Sequence, residues 1–154
     1  MILRNLRHYL YNRFIAKTHL LPNRLKKGNY HEMHDRVLHA SFEALVEFIE
    51  VEYASHYMAW HDIKQGIVAR RHPNYGMKHL EWEMTLEGEQ AEKAAEAADL
   101  YLWWKEARPA RKDPWDDTHN SVEWELAEKE EEAHIKEDQE QLCRLAKLMN
   151  SLWT

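Results

Sequence analysis

Apolar residues recur along most of the chain at spacings of three and four, which is the period of amphipathic α-helices. In the first segment, MILRNLRHYLYNRFIAKTHLL, arginines lie opposite such a stripe, so we expect a basic amphipathic helix. Pro22 disfavours helical geometry in the residue before it and is predicted to end this helix. The apolar stripe consists of Ile2, Leu6, Tyr9, Leu10 and Phe14.

A second helix is predicted from near His31 towards Trp60, because a stripe of helical period runs through it. Its members are Leu38, Leu45, Phe48, Ile49 and Tyr53. Beyond Gly66 the periodicity is lost, and the segment IVARRHPNYGMKH contains one Pro and one Gly in thirteen residues. This composition favours a connecting loop.

A third helical region covers LEWEMTLEGEQAEKAAEAADLYLWWKEA, interrupted near Gly88 and ending before Pro109. One face of this helix forms a seam that is rich in small residues: Ala91, Ala94, Ala98, Tyr101 and Lys105. Small side chains let another helix approach closely. The last helix is predicted from Ser121 to Trp153. Its second half has core positions spaced as in a coiled coil or one helix of a bundle: Ile135, Asp138, Leu142, Leu145, Met149 and Leu152.

No stretch alternates apolar and polar residues with period two over the length of a strand. The sequence therefore predicts an all-α fold, a small bundle of about four helices with a long C-terminal helix. A chain of 154 residues, 44% hydrophobic and 31% charged, fits one domain with one core. We therefore expect residues 1–154 to form a single helical domain.

The net charge of −6 is distributed unevenly along the chain. Residues 1–27 contain seven Lys and Arg and no acidic residue, so they form a basic arm of charge +7, whereas the helical body, residues 28–154, carries −13. Such an arm is expected to meet an anionic surface: nucleic acid, lipid, or the acidic part of its own fold or of a partner subunit. Pairing within the chain or between subunits is an equally good interpretation.

Cysteine usage and hydropathy indicate the compartment. The single cysteine, Cys143, cannot form an internal disulfide, and no secretory signal opens the sequence. No run approaches the roughly 18 apolar residues that span a bilayer. We expect a cytoplasmic protein without a membrane span, in which Cys143 is buried beside the apolar seam of the last helix.

Residues 100–117, LYLWWKEARPARKDPWDD, are called the Trp/Arg turn below. Trp103 and Trp104 point about 100° apart on a helix, so one is expected to face the core and the other to lie near the surface. The turn is either a clasp that closes the core or a surface for a partner, since Trp and Arg are enriched at interface hot spots. Together with the basic helix, the predicted partner-binding residues are Arg4, Arg7, Arg13, Lys17, Trp104, Arg108, Arg111, Lys112 and Trp115.

Two carboxylate motifs resemble those of the all-α nucleotide pyrophosphohydrolases of the MazG type. Glu47-Phe-Ile-Glu50 is similar to the first motif of that family, and Glu96-Ala-Ala-Asp99 is similar to the second. The resemblance implies that Glu47, Glu50, Glu96 and Asp99 bind Mg or Mn and hydrolyse a nucleoside triphosphate. The separation of the two motifs and the intervening Pro/Gly segment depart from the family pattern.

Eleven histidines also suggest metal binding. Glu131 and His134 match one half of a di-iron motif, Glu-x-x-His, but Glu52 and His56 stand four apart where the second half needs three. His-Asp pairs, as found in HD phosphohydrolases, occur at His34-Asp35 and His61-Asp62, with Asp99, Asp116 and Asp117 downstream. Surface or core histidines are the favoured interpretation.

Three stretches, LLPNRLKKGNYHEMHDRVLHASFEALVEFIEVE, HLEWEMTLEG and the Trp/Arg turn, resemble small uncharacterised proteins of tailed bacteriophages. The resemblance implies a setting, the infected bacterial cytoplasm or the virion, without an activity. We predict a non-catalytic, self-associating interaction protein without a cofactor, which binds a host or phage protein through the basic helix and the Trp/Arg turn. Nucleic acid is a possible partner of the basic segment, and the alternatives are a metal-dependent nucleotide hydrolase and a protein that binds a small ligand without turnover.

Overall fold

The computed structural model describes residues 6, 9, 10, 13, 14, 21, 22, 24–54, 73–116 and 121–151. These residues are mainly helical and include no strand, which confirms the predicted all-α class. The helices are α1 (Met33–Glu47, continued by a π-helical segment, Phe48–Tyr53), α2 (Pro73–Met84), α3 (Glu89–Leu102, continued by a π-helical segment, Trp103–Ala107) and the long C-terminal α4 (Ser121–Met149). None of the described helices is long and apolar enough to cross a membrane.

The chain comprises two compact units, Met1–Ala44 and Leu45–Thr154. In the first unit, Leu6, Tyr9 and Leu10 have α-helical backbone geometry, in agreement with the predicted N-terminal helix. Further along, the side chain of Arg24 forms an ion pair of 2.7 Å with Glu43.

The core of the second unit is formed where α3 packs against α2 and α4. Ala94, Ala98 and Tyr101 are buried, which confirms this part of the predicted small-residue seam, and Ala97 extends it. Ala91 is half-buried and Lys105 is exposed, so the seam prediction is wrong for Lys105. The largest fully buried side chains of this unit are Val46, Ile49, Leu80, Leu100 and Leu145.

Helix α2 begins inside the segment whose composition favours a loop. Pro73 is its first residue, where a missing N–H costs no hydrogen bond. Gly76 does not break the helix: a Cβ atom at this position would overlap the carbonyl oxygen of Ile49. The glycine therefore permits close packing of α2 on the π-helical segment that continues α1, and the loop prediction is wrong for residues 73–79. The predicted extension of the second helix beyond Ala54 towards Trp60 lies outside the described residues.

The π-helical segments widen the ends of α1 and α3. The Ala54 N–H bonds to the carbonyl of Ile49, and the Arg108 N–H bonds to that of Trp103 at 2.8 Å, five residues back in each case. Consecutive side chains are about 100° apart in an α-helix, and a wider turn reduces that angle. Trp103 and Trp104 are both buried, with 7% and 6% exposure, so the expectation that one would lie near the surface is wrong.

Helix α4 is buried unevenly along its length. In its second half Leu145 and Leu148 are buried, whereas Ile135 is 37% exposed. Leu145 thus occupies the core as the coiled-coil spacing predicted, and Leu152 lies outside the described residues. Cys143 is exposed, so the expectation that it would be buried is wrong.

Candidate functional site

The Trp/Arg turn folds back on α4 and forms a cluster that we call the clasp: Trp103, Trp104, Arg108, Arg111, Glu137 and Asp138. The guanidinium carbon of Arg108 lies 5.0 Å from the centre of the Trp104 ring, and that of Arg111 lies 5.3 Å from the Trp103 ring. Both are cation–π distances.

Two acidic residues of α4 complete the clasp. Asp138 accepts hydrogen bonds from Arg108 at 3.0 Å and from Arg111 at 2.7 Å. Glu137 accepts the indole N–H of Trp103 at 2.7 Å and forms an ion pair with Arg111 at 2.8 Å. Charge-assisted bonds of this kind, partly shielded from water, tie the end of α3 to the middle of α4.

The structure divides the predicted partner-binding residues of this turn into two groups. Trp104, Arg108 and Arg111 are engaged in the clasp, and Trp104 offers almost no surface. Lys112 and Trp115 are exposed. The Trp115 ring is 41% exposed, and its N–H donates to Glu131 at 3.2 Å.

The apolar residues that the structure describes in the N-terminal segment up to Phe14 are exposed to solvent. Leu6, Tyr9, Leu10 and Phe14 are 45% to 62% exposed, and we call them the N-terminal apolar face. Arg13 donates a hydrogen bond of 3.0 Å to the Tyr9 hydroxyl, and its guanidinium lies 5.7 Å from the Phe14 ring centre. The other cations predicted to bind a partner here, Arg4, Arg7 and Lys17, lie outside the described residues.

The turn after this segment surrounds an open concavity of about 480 Å³. Its lining includes the cationic side chains of Lys26, Lys27 and Arg36. Gly28 has a positive φ of 93°, which L side chains rarely adopt, and this conformation turns the chain between the lysines and α1. The concavity therefore continues the positive charge of the basic arm.

The first motif of the predicted hydrolase site separates into an exposed and a buried carboxylate. Glu47 is exposed, whereas Glu50 is only 3% exposed. The Tyr101 hydroxyl donates to Glu50 at 3.0 Å, and the Lys105 ammonium donates to the same oxygen at 2.9 Å. Glu50 and Lys105 lie on the two π-helical segments, so this bond joins the ends of α1 and α3.

The second motif is bound by an arginine of α4. Arg144 donates to the two Glu96 oxygens at 2.7 and 2.8 Å and to Asp99 at 2.6 Å. The hydrogen bond to Glu96 and then that to Asp99 raise the pKa of Arg144 above its ordinary value. Of the four carboxylates expected to bind Mg or Mn, Glu50 is thus paired with Lys105, and Glu96 and Asp99 are paired with Arg144, whereas Glu47 is exposed.

The residues of the di-iron candidate do not form a buried metal site in the described part of the chain. Glu52 and Glu131 are exposed, and His134 is half-buried. His56 lies outside the described residues.

The His-Asp candidates are similarly unsupported. His34 contacts Glu32 and Asp35 at 3.2 and 3.6 Å, whereas His61-Asp62 and Asp117 lie outside the described residues. In the part of the chain that the structure describes, no group of three or more His, Cys, Asp or Glu side chains could hold a metal ion.

One buried polar cluster was not predicted from the sequence. Glu83, on α2, is 7% exposed and accepts a hydrogen bond of 3.1 Å from Gln90. The His79 ring lies 3.5 Å from the same oxygen and packs edge-on against Tyr53. Burial, and then the charge and hydrogen bond of Glu83, raise the pKa of the Tyr53 hydroxyl. The spacing of His79 and Glu83, four residues apart on a helix, was the available signal.

The acidic start of α4, residues 121–132, is a further exposed surface. It contains six Glu and one Lys, a net charge of −5. Three of its apolar side chains, Val122, Trp124 and Leu126, are 60% to 66% exposed. Ala127 in the same stretch is 3% exposed. Val122 and Leu126 are one turn apart and therefore form a small exposed apolar patch.

No protein-family model, curated protein or solved structure matches this chain.

Proposed function

We propose that the protein is a non-catalytic interaction protein that binds an acidic groove of a partner protein through its basic N-terminal segment, residues 1–27. The observation that carries the proposal is the N-terminal apolar face, four apolar side chains at helical spacing that are about half exposed. Helices that bind in grooves use anchors at this spacing. The charge of +7 selects a groove rimmed by acidic residues.

The exposed apolar face favours protein over nucleic acid as the partner. Binding to a phosphate backbone depends on cations and on counterion release. Binding to phosphates would give no role to Leu6 and Leu10, whereas a hydrophobic groove in a protein would bury both side chains. Arg13, held between the Tyr9 and Phe14 rings, combines a cation with aromatic surface, as interface hot spots do.

The Trp/Arg turn contributes a smaller second contact in this proposal. Trp115 and Lys112 supply its exposed surface, because Trp104, Arg108 and Arg111 are engaged within the clasp. The partner is a host or phage protein in an infected bacterial cytoplasm or in a virion, the setting that the phage resemblance implies.

The hydrolase alternative receives no comparable support. Magnesium-dependent hydrolysis requires carboxylates that converge on the ion. Glu50 bonds instead to Lys105 and Tyr101, and Glu96 and Asp99 bond to Arg144.

The test is capture of partners from a bacterial lysate, with and without nuclease treatment, on immobilised wild-type protein and on Leu10→Asp. The matched control is Leu21→Asp, which makes the same change at an exposed leucine outside the apolar face. We expect wild type and control to retain one defined protein. Leu10→Asp should bind that protein at least about tenfold more weakly, a difference of about 1.4 kcal/mol in binding free energy. Equal retention by both variants contradicts the proposal, and retention that nuclease abolishes shows a nucleic-acid partner instead.

A further inference from the structure

The acidic start of α4 and the N-terminal segment carry opposite charges. Both also expose apolar side chains to solvent. On α4, Val122 and Leu126 are one turn apart, about 40° around the helix axis, and therefore form one ridge. The same geometry places Glu125 on one side of that ridge, Glu130 on the other and Lys129 within it, and the stretch as a whole carries a net charge of −5. Neither glutamate has an ion-pair partner among the described residues.

The N-terminal segment has the complementary arrangement. Leu6 and Leu10 are also one turn apart, with Tyr9 and Phe14 beside them, on a segment that has seven cations and no acidic residue. An apolar ridge on an acidic stretch therefore fits an apolar face on a basic one. Burial of the apolar surfaces supplies affinity, and the opposite charges supply orientation and specificity.

Both surfaces are exposed in the single chain: the four N-terminal side chains by 45% to 62%, and Val122 and Leu126 by 66% and 60%. We propose that the acidic start of α4 in one copy binds the N-terminal segment of a second copy, and that the exchange is reciprocal. A reciprocal exchange forms the same contact twice and closes a two-fold dimer.

This inference concerns a surface that the proposed function does not use, the start of α4, and it does not depend on the partner protein. If both hold, the dimer covers the segment that binds the partner, and dissociation becomes a condition for binding. Dilution below the dimer dissociation constant releases monomers, so the apparent affinity for the partner should be higher in dilute protein than in concentrated protein.

Sedimentation velocity of the full chain over a range of concentrations tests the proposal. The two disrupting variants are Leu126→Lys, which places a cation against the basic segment, and Leu10→Asp, which places an anion against the acidic start of α4. Each is expected to raise the dimer dissociation constant at least about tenfold, or about 1.4 kcal/mol. The controls are Leu102→Lys and Leu21→Asp, identical changes at exposed leucines of other surfaces, and both are expected to dimerise as the wild type does.

Mixing the two disrupting variants identifies which surfaces meet. In a mixed dimer one contact is wild type on both sides, and the other brings the introduced aspartate of one copy against the introduced lysine of the other, so these charges attract. We therefore expect Leu10→Asp and Leu126→Lys to associate with each other more tightly than either associates with itself. An interface between two α4 helices would be insensitive to Leu10→Asp, and one between two N-terminal segments would be insensitive to Leu126→Lys, so either result overturns the proposal.

Salt dependence provides the second measurement. Raising the salt from about 0.1 M to about 1 M shortens the Debye length from about 10 Å to about 3 Å, which screens exposed charges. The wild-type dimer is expected to weaken over that range. A wild-type chain that stays monomeric at every concentration and salt overturns the proposal, while leaving the capture experiment with Leu10→Asp to decide the proposed function by itself.

Discussion

The clasp and the N-terminal apolar face are both built from aromatic rings and arginine, yet the clasp is closed and the N-terminal face is open. In the clasp, Trp103 and Trp104 are at most 7% exposed. In the N-terminal face, Tyr9 and Phe14 are 54% and 62% exposed. The same residue types therefore serve internal packing in one region and leave a surface in the other.

The difference follows from the acidic residues within reach. Arg108 and Arg111 have Asp138 and Glu137 on the neighbouring helix, so each guanidinium can leave water with its charge compensated. Residues 1–27 contain no carboxylate, and Arg13 contacts only a hydroxyl and two rings among the described contacts. In this chain, the aromatic-arginine cluster with carboxylate partners is part of the core, and the cluster without them is exposed.

Removing a ring from the clasp should have the largest effect on stability. Trp104→Ala deletes a buried side chain and leaves a cavity, so we expect a loss of about 3 to 5 kcal/mol in the free energy of unfolding. Trp124→Ala is the matched control, because Trp124 is 60% exposed, and it should stay within about 0.5 kcal/mol. Urea denaturation measures both, and equal losses would show that the clasp is not a core element.

Removing the charge of Asp138 should have the next largest effect. Asp138→Asn leaves Arg108 and Arg111 without their shared carboxylate, although Glu137 still pairs with Arg111. Because the site is only partly buried, we expect the free energy of unfolding to fall by about 2 to 3 kcal/mol. This lies between the effects of breaking exposed and buried ion pairs. Glu140→Gln removes an exposed partner of Lys136 on the same helix and should change stability by less than about 1 kcal/mol.

Periodicity in the sequence predicted the helices but could not predict the clasp geometry. A stripe of apolar positions reports which face of a helix is buried, so the fold class and the long α4 could be predicted. Both Trp103 and Trp104 are buried where a π-helical segment continues α3, and that segment has no periodic signature. Gly76 was misread for a related reason: close contact between helices and a break in a helix both favour glycine.

Candidate chemistry was harder to predict, because spacing does not reveal the partner of a carboxylate. Glu50 and Glu96 have the spacing of a metal-binding motif, but the side chains that bond to them, Lys105 and Arg144, are about 50 residues away in sequence. These residues therefore lie beyond any local pattern. The helical period and positive charge of the N-terminal segment, in contrast, follow from one short stretch of sequence, whereas the exposure of its apolar face does not.

The half-buried Tyr53 side chain should make stability depend on alkaline pH. Its pKa is raised in the folded state by burial and by Glu83, so the unfolded chain loses this proton first as the pH rises above about 10. Stability contributed by Tyr53 is therefore complete below that pH and falls above it by up to about 1.4 kcal/mol per pH unit. Tyr53→Phe should flatten the decline, measured by urea denaturation at several pH values, whereas Tyr30→Phe, at an 89% exposed site, should not.

The smallest effect on stability is expected at the N-terminal apolar face. Leu10→Asp replaces a side chain that is 45% exposed and that no carboxylate accompanies, so the free energy of unfolding should change by no more than about 0.5 kcal/mol. The same substitution should weaken binding at least about tenfold, so at Leu10 binding can be lost while stability is kept. At the buried Trp104, any substitution also lowers stability. Urea denaturation of Leu10→Asp beside Leu21→Asp checks this, and a loss of several kcal/mol would show that Leu10 is a core residue and that the open region is packed like the clasp.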